Sequence, residues 1–285
     1  MNMPPVPRAD IALVTLGGLL LVLAAVVAGA REATPAWGKH QDAARVWVRQ
    51  RHGDDDAAKL PRGLQQVWIP ALHRVDRCTT CHVATDGGAM TAEAPQPWRS
   101  HPHPELLAAH PVERFGCTLC HGGQGQATTQ ASAHGEVPFW EEPLLDTARA
   151  KRAGLERRQL LEMRCNRCHQ HQQDVEGLPT IAEGRRLVEQ LRCVRCHAIQ
   201  GEGGTTGPDL THVGDEPPSK RHFPHGFQGP RTALAWHVEH LLDPQAMSPG
   251  SAMPKLALDH RQATAIALLL MSWQRVELPA AWTPR

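Results

Sequence analysis

Residues 193–197 read Cys193-Val-Arg-Cys196-His197, a pair of cysteines three positions apart with a histidine directly after the second. The same C-x-x-C-H pattern occurs at residues 78–82, 117–121 and 165–169, and together the copies use all 8 cysteines of the chain. This spacing puts both thiols on one face of a helical turn, where they can add to the two vinyl groups of one porphyrin. The adjacent histidine then places its imidazole over the iron.

The sequence therefore predicts four covalently bound c-type haems with their iron. The thioether positions are Cys78, Cys81, Cys117, Cys120, Cys165, Cys168, Cys193 and Cys196, and the proximal iron ligands are His82, His121, His169 and His197. Two other uses of cysteine fit less well, because zinc ribbons need no histidine after C-x-x-C and disulfides need no such spacing. Complete motifs with no spare cysteine favour haem over both.

The composition says little about partners but something about the interior. The net charge of the 285 residues is only +1 and no basic patch is present, so nucleic acid is not an expected partner. Tyrosine is absent, phenylalanine numbers 4, and glycine and proline number 24 each. A large aromatic core is therefore not expected, and bound haems would fill the interior instead.

Residues 11–30 form a run without a charged side chain, about the length that spans the hydrocarbon layer as a helix. This run predicts a transmembrane anchor, with residues 1–10 in the cytoplasm. A cleaved signal peptide is the alternative, because Ala28-Gly29-Ala30 fits the small-x-small cleavage pattern. The run is longer than a usual signal core, which favours the retained anchor.

Beyond the anchor, the sequence predicts a mostly α-helical protein with much irregular loop. Residues 31–76 are expected to form a helical stalk, with apolar side chains at helical spacing over 36–72. Residues 77–178 hold three motifs in a sequence rich in Pro, Gly and His, and predict a loop-rich trihaem module. Residues 179–285, with the fourth motif, predict an α-helical monohaem domain.

The last of these regions has an informative order of features. After His197 come Gly207-Pro208-Asp209-Leu210, a helical stretch around Trp236, the segment Ser251-Ala252-Met253-Pro254 and a closing apolar helix. This order resembles the small monohaem cytochrome c fold over roughly residues 179–278. The resemblance implies that Met253 is the distal ligand opposite His197. Met247 is the rival thioether, although the Ser-x-Met-Pro context and the rigid proline favour Met253.

A second resemblance lies between the first and third motifs. The stretch at residues 99–125, with Ala133-His134-Gly135 and the segment at 140–145, is similar to periplasmic multihaem cytochromes c found with bacterial cytochrome bc-type complexes. It implies that His101, His110 and His134 are distal ligands of the first three haems, without showing which haem each serves. Phe139 stands where a further histidine would be expected.

These resemblances also imply a location. Thioether attachment in bacteria takes place outside the cytoplasmic membrane, so residues 31–285 are expected in the periplasm. The protein would then be a single-pass protein of the bacterial inner membrane, in contact with lipid through its anchor.

The expected function is electron transfer without a catalytic residue, in a respiratory or photosynthetic chain. His/Met ligation raises a haem potential relative to bis-His ligation. Electrons are therefore expected to pass from a cytochrome bc-type or other quinol-oxidising complex, through the bis-His trihaem module, to the His197/Met253 haem. The acceptor would be a terminal oxidase, a reductase or a reaction centre. Whether the chain is a free shuttle or a permanent subunit is left open.

The alternative is an enzyme, a multihaem reductase in which one open haem iron acts on a small molecule. The sequence has no Lys-for-His attachment motif and no additional acid/base cluster, which favours the electron carrier.

Overall fold

The computed structural model describes residues 7–33, 35–140, 142–275, 278–279 and 282. The strands form two antiparallel pairs, β1 (Val67–Ile69) with β2 (Arg74–Asp76) and β3 (Ala198–Ile199) with β4 (Glu202–Gly203). The helices are α1 (Arg8–Ala33), α2 (Ala36–His52), α3 (Asp54–Lys59), α4 (Pro104–Ala109), α5 (Val112–Phe115), α6 (Thr118–His121), α7 (Gln130–Ala133), α8 (Thr147–Arg152), α9 (Arg157–His169), α10 (Pro179–Gln190), α11 (Ala233–Leu242), α12 (Pro244–Met247) and α13 (His260–Ser272). The expectation of a mostly helical chain is confirmed.

Helix α1 contains the apolar run of residues 11–30. It is long and apolar enough to cross a membrane, and none of its residues is buried against the rest of the described chain. An N-terminal signal sequence has the same properties, so α1 fits both a membrane anchor and a signal sequence.

Contacts divide the chain into two compact units. The first comprises the described residues up to Gln66 together with Arg77–His110 and Ala127–Ala133. Its core joins α2 and α3 to the residues just after the first C-x-x-C-H motif, and its buried members are Ala44, Val48, Ala57, Leu60, Val83 and Ala84. Helix α2 therefore helps to build the surroundings of the first motif.

The expected helix over 36–72 is wrong beyond Lys59. Pro61 and Gly63 end the helical path, and the chain continues into the β1–β2 hairpin, with Val67 opposite Asp76. Proline fixes its backbone and lacks an N–H, and glycine is a poor helix residue, so a break here is physically expected. The apolar spacing alone did not show this break.

The second unit comprises Val67–Asp76, Pro111–Gln126 and the described residues from His134 onward. Its core is formed by α10, α11 and α13, with α9 packed beside them. Helix α13 is apolar nearly all round, so it is buried from Ala263 to Leu270. Gly184 allows α10 to approach it closely, because a Cβ there would lie 2.6 Å from the carbonyl oxygen of Ala265.

Helix α9, which ends in the third motif, packs on both α10 and α13. The buried Glu162 carboxylate of α9 accepts hydrogen bonds from the backbone N–H groups of Thr180 (2.7 Å) and Ile181 (3.2 Å). It thereby satisfies donors in the first turn of α10, which have no partner within that helix. The boundary predicted at residue 178 marks a change in the character of the sequence. The assignment of three haems to the residues before it and one haem to the residues after it stays a prediction.

Candidate haem sites

The first motif begins as a single 3₁₀ turn, Cys78–Thr80, whose buried threonine fixes it to the preceding segment. The Thr80 hydroxyl accepts a hydrogen bond from the backbone N–H of Gln65 (3.0 Å) and donates one to its carbonyl (2.8 Å). The Gln41 side chain of α2 donates to the Thr80 carbonyl at 2.9 Å. Residues outside the motif thus hold the turn, and its functional side chains, Cys78, Cys81 and His82, are half-buried.

The second motif is held by Asp76 at the end of β2. This buried carboxylate accepts hydrogen bonds from the backbone N–H groups of Cys117 (2.8 Å) and Thr118 (2.9 Å). Such N–H groups at the start of a helical turn lack partners within it, and an acidic side chain satisfies them. The β1–β2 hairpin therefore positions the turn that carries Cys117, Cys120 and His121.

The third motif forms the last turn of α9. It is fixed mainly through Asn166, which lies between its two cysteines. Asn166 is fully buried, and its amide donates to the Ser272 hydroxyl of α13 at 2.6 Å. Arg185 of α10 donates to the Asn166 side chain and, at 2.7 Å, to the carbonyl of His169. These contacts are not predictable from the sequence, because Asn166 occupies a position that the motif leaves open.

The second and third motifs lie close together within their unit. Helix α6 packs on α9, and burial raises the pKa of Cys120 to about 11 and that of Cys165 to about 12. The charge that Cys168 would carry as a thiolate raises the pKa of Cys120 further, so these sulfurs are neighbours. All eight cysteines are free of disulfides, as thioether attachment requires.

Two arginines of α9 lie near these two motifs and share one carboxylate. Arg164 and Arg167 both donate to the Glu142 carboxylate, at 2.8 and 3.2 Å. Burial alone would raise the pKa of Glu142, but the hydrogen bonds and charges of the two arginines lower it to about 2. Glu142 is therefore ionised throughout the neutral range.

In the fourth motif, glycine lets the chain pass directly over the imidazole. The Nδ1 atom of His197 lies 2.8 Å from the carbonyl oxygen of Pro208. Nδ1 can therefore donate a hydrogen bond to this oxygen, and Nε2 takes no part in that bond. A Cβ at Gly207 would lie 2.5 Å from Cε1 of the same ring. This arrangement fixes the ring as a proximal haem ligand requires, with Nε2 as the ligand atom.

The two candidate methionines occupy different places. Met247 is buried, with 5% of its surface exposed, and belongs to α12. Met253 is partly buried and packs at the margin of the domain core. Its loop is held by Gln245, which donates to the Met253 carbonyl at 2.8 Å, and by the Ser251 hydroxyl, which accepts from the Met253 N–H at 3.3 Å. Met253 remains the predicted distal ligand.

A cluster near His197 contains three buried polar nitrogens without hydrogen-bond partners: Arg221 Nε, His237 Nε2 and His240 Nδ1. The Arg221 guanidinium lies 4.9 Å from the Trp236 ring centre, and the His240 ring stacks on that indole at 4.6 Å. Burial, with the nearby charge of Arg221, lowers the pKa of His237 to about 3. Buried polar groups are nearly always paired, so this donor set fits the carboxylates that a haem carries as propionates.

The candidate distal histidines divide between the two units. His101 and His110 lie in the unit that holds the first motif, and His134 lies in the unit that holds the other three. The Nδ1 of His110 donates to the carbonyl of Leu106 at 3.1 Å, and the Nδ1 of His101 accepts from the His103 N–H at 3.2 Å. Their assignment to particular haems stays a prediction.

The comparisons with known proteins agree with the C-terminal part of this description. The sequence profile of the cytochrome c family matches residues 181–274. No curated protein and no solved structure matched the chain. The matched region contains the fourth motif, the glycine against His197, the cluster of unpaired nitrogens and Met253. Residues 181–274 thus form a cytochrome c domain with a covalently bound c-type haem, and the chain is an electron-transfer haem protein.

Proposed function

We propose that the chain is a tetrahaem c-type cytochrome that transfers electrons on the periplasmic face of the bacterial inner membrane. One observation carries the proposal: four complete C-x-x-C-H motifs use every cysteine, and hydrogen bonds from outside each of the first three motifs fix its turn. When bound, each haem supplies one iron that cycles between the ferric and ferrous states.

The residues of the chain hold and orient these groups. The eight cysteines supply the thioether bonds, and His82, His121, His169 and His197 bind iron from the proximal side. Met253 is the proposed distal ligand for the fourth motif, and His101, His110 and His134 are those for the other three. Arg221, whose Nη2 pairs with Glu216 at 2.8 Å but whose Nε has no partner in the described chain, and His237 are the proposed partners of a propionate beside the fourth motif.

The proposed direction of flow rests on ligand chemistry. A thioether favours ferrous iron more than an imidazole does, so the site of His197 and Met253 should have the highest potential. Electrons would enter from a quinol-oxidising bc-type complex through the bis-His sites and leave from the cytochrome c domain. Helix α1 supports an anchored protein that meets such a complex at the membrane.

Copurification after mild detergent extraction tests the partner. A bc-type complex that stays with the full-length chain through gel filtration would support a permanent subunit. A chain that elutes alone but is reduced by the purified complex and quinol would support a shuttle. Neither association nor reduction would contradict the proposed donor.

A further inference from the structure

Arg164 is a buried cation that belongs to the surroundings of two haem attachment motifs at once. It lies on α9 directly before Cys165, the first thioether position of the third motif. Its Nη2 donates a hydrogen bond, at 3.4 Å, to the carbonyl of Thr118, which stands between the two cysteines of the second motif. Only 8% of its side chain is exposed. The second and third motifs therefore share one guanidinium.

The charge of Arg164 also reaches sulfur atoms of both motifs. Burial raises the pKa of the Cys120 thiol and that of the Cys168 thiol, and the positive charge of Arg164 acts against this rise at each of them. Charges interact more strongly in the protein interior than in water, because the interior has a lower dielectric constant. An iron bound beside either thiol would feel the same guanidinium.

The carboxylate beside Arg164 does not cancel its charge, because three arginines share that carboxylate. Glu142 lies 2.8 Å from Arg164, 3.2 Å from Arg167 and 3.7 Å from Arg74. In the described part of the chain, no other carboxylate forms an ion pair with Arg164 or Arg167. The Nε groups of these two arginines are buried and have no hydrogen-bond partner there either. This group of three arginines and one glutamate therefore has an excess of positive charge.

Such an excess has a defined effect on haem iron. Ferric iron has one more positive charge than ferrous iron, so a nearby buried cation destabilises the ferric state and raises the potential. We propose that Arg164 raises the potentials of two haems together, those of the second and third motifs. The inference rests on the proposed function, because it needs a haem at each of these motifs. The shared charge would bring both bis-His sites closer in potential to the site of His197 and Met253.

Opposite substitutions in one ion pair of the full-length protein test this role. Spectroelectrochemical titration of Arg164→Gln should show two potentials lowered, each by about tenfold in the equilibrium constant for reduction, or about 59 mV. Glu142→Gln removes the opposite charge, so it should raise the same two potentials. Both substitutions break the contact between Arg164 and Glu142, and a purely structural role of that contact would not give shifts of opposite sign. Arg164→Lys, which keeps the charge, should titrate close to the wild type.

Arg186→Gln is the matched control. Arg186 belongs to α10 in the same compact unit, and it also pairs with a glutamate, Glu183, at 2.7 Å. Its side chain is 48% exposed, so solvent screens the charge that this substitution removes. All four potentials should stay at their wild-type values in this variant.

A variant without one of the two attachment sites assigns the shifts. When Cys117 and Cys120 are both replaced by Ala, Arg164→Gln should lower one potential instead of two, and denatured mass spectrometry counts the haems of each variant. If the second or third motif carries no haem in the wild type, the proposed function fails. If both carry haem, the proposed function stands, and the shared role of Arg164 is refuted by any of three results. These are wild-type potentials in Arg164→Gln, a shift of one haem only, or shifts of the same sign in Arg164→Gln and Glu142→Gln.

Discussion

Met253 is the residue on which the identity of the fourth site depends most. Its Ser-x-Met-Pro context and its position at the margin of the domain core both favour it as a thioether ligand, whereas Met247 is buried within α12. Met253→Ala should abolish the sulfur-to-iron charge-transfer band and lower one potential, because the thioether is lost. Met247→Leu, which conserves volume, should leave both unchanged. Loss of the band in Met247→Leu with survival in Met253→Ala would reverse the assignment.

At the residue scale, the sequence predicted the groups whose chemistry is written in a local motif. The thiols and proximal histidines follow from C-x-x-C-H, and Gly207 was part of a quoted segment. Asp76 was not predicted as part of a site, because Cys117, whose backbone N–H it accepts from, lies 41 residues further along the chain. Contacts of that separation depend on the tertiary fold, and no spacing rule shows them.

At the element scale, Asn166 and Ser272 join the third motif to the closing helix. Both side chains are fully buried, so removal of the Ser272 hydroxyl leaves the Asn166 amide N–H without this acceptor. Ser272→Ala should reduce the free energy of unfolding by about 1–3 kcal/mol, the cost of one unsatisfied buried polar group. Chemical denaturation followed by circular dichroism measures it, with the exposed Ser219→Ala as control. Equal stability of the two variants would show that this hydrogen bond does not join the helices.

The ion pairs of Glu142 with α9 predict a dependence on pH. The arginines lower the pKa of Glu142 from its ordinary 4.5 to about 2 in the folded chain. Its contribution to stability is therefore present above pH 4.5 and is lost as the pH falls towards 2. The melting temperature of Glu142→Gln should lie below that of the wild type near neutral pH, and the difference should close in acid. Glu136→Gln, at an exposed loop position, is the control, and a difference that persists at low pH would contradict the assignment.

Element prediction succeeded where one periodic pattern continued without interruption. The apolar spacing predicts helices over 181–192, around 231–242 and over 258–276, and α10, α11 and α13 are present there. The sequence also predicts one helix over 146–167, which the structure divides into α8 and α9 because Gly154 between them adopts a positive φ of 70°. Turn residues inside an apolar pattern therefore decided the boundaries.

At the scale of the whole molecule, contacts place the first motif in one unit and the other three motifs in the second unit. The character of the sequence instead groups the first three motifs together and sets the fourth apart. The third motif lies at the end of α9, which packs on the helices of the cytochrome c domain. Composition could not show this packing. The residues before 178 have a composition typical of loops, yet Glu162 and Asn166 join them to the domain. The family match begins at residue 181 and leaves α9 outside it.

The number of haems is the central claim, and mass spectrometry of the denatured full-length protein tests it most directly. Thioether bonds survive denaturation, so the polypeptide should carry the added mass of four haems. Variants in which both cysteines of one motif are replaced by Ala should each carry three. A mass with fewer than four haems in the fully matured protein, or one that matches the bare polypeptide or a zinc complex, would contradict the account.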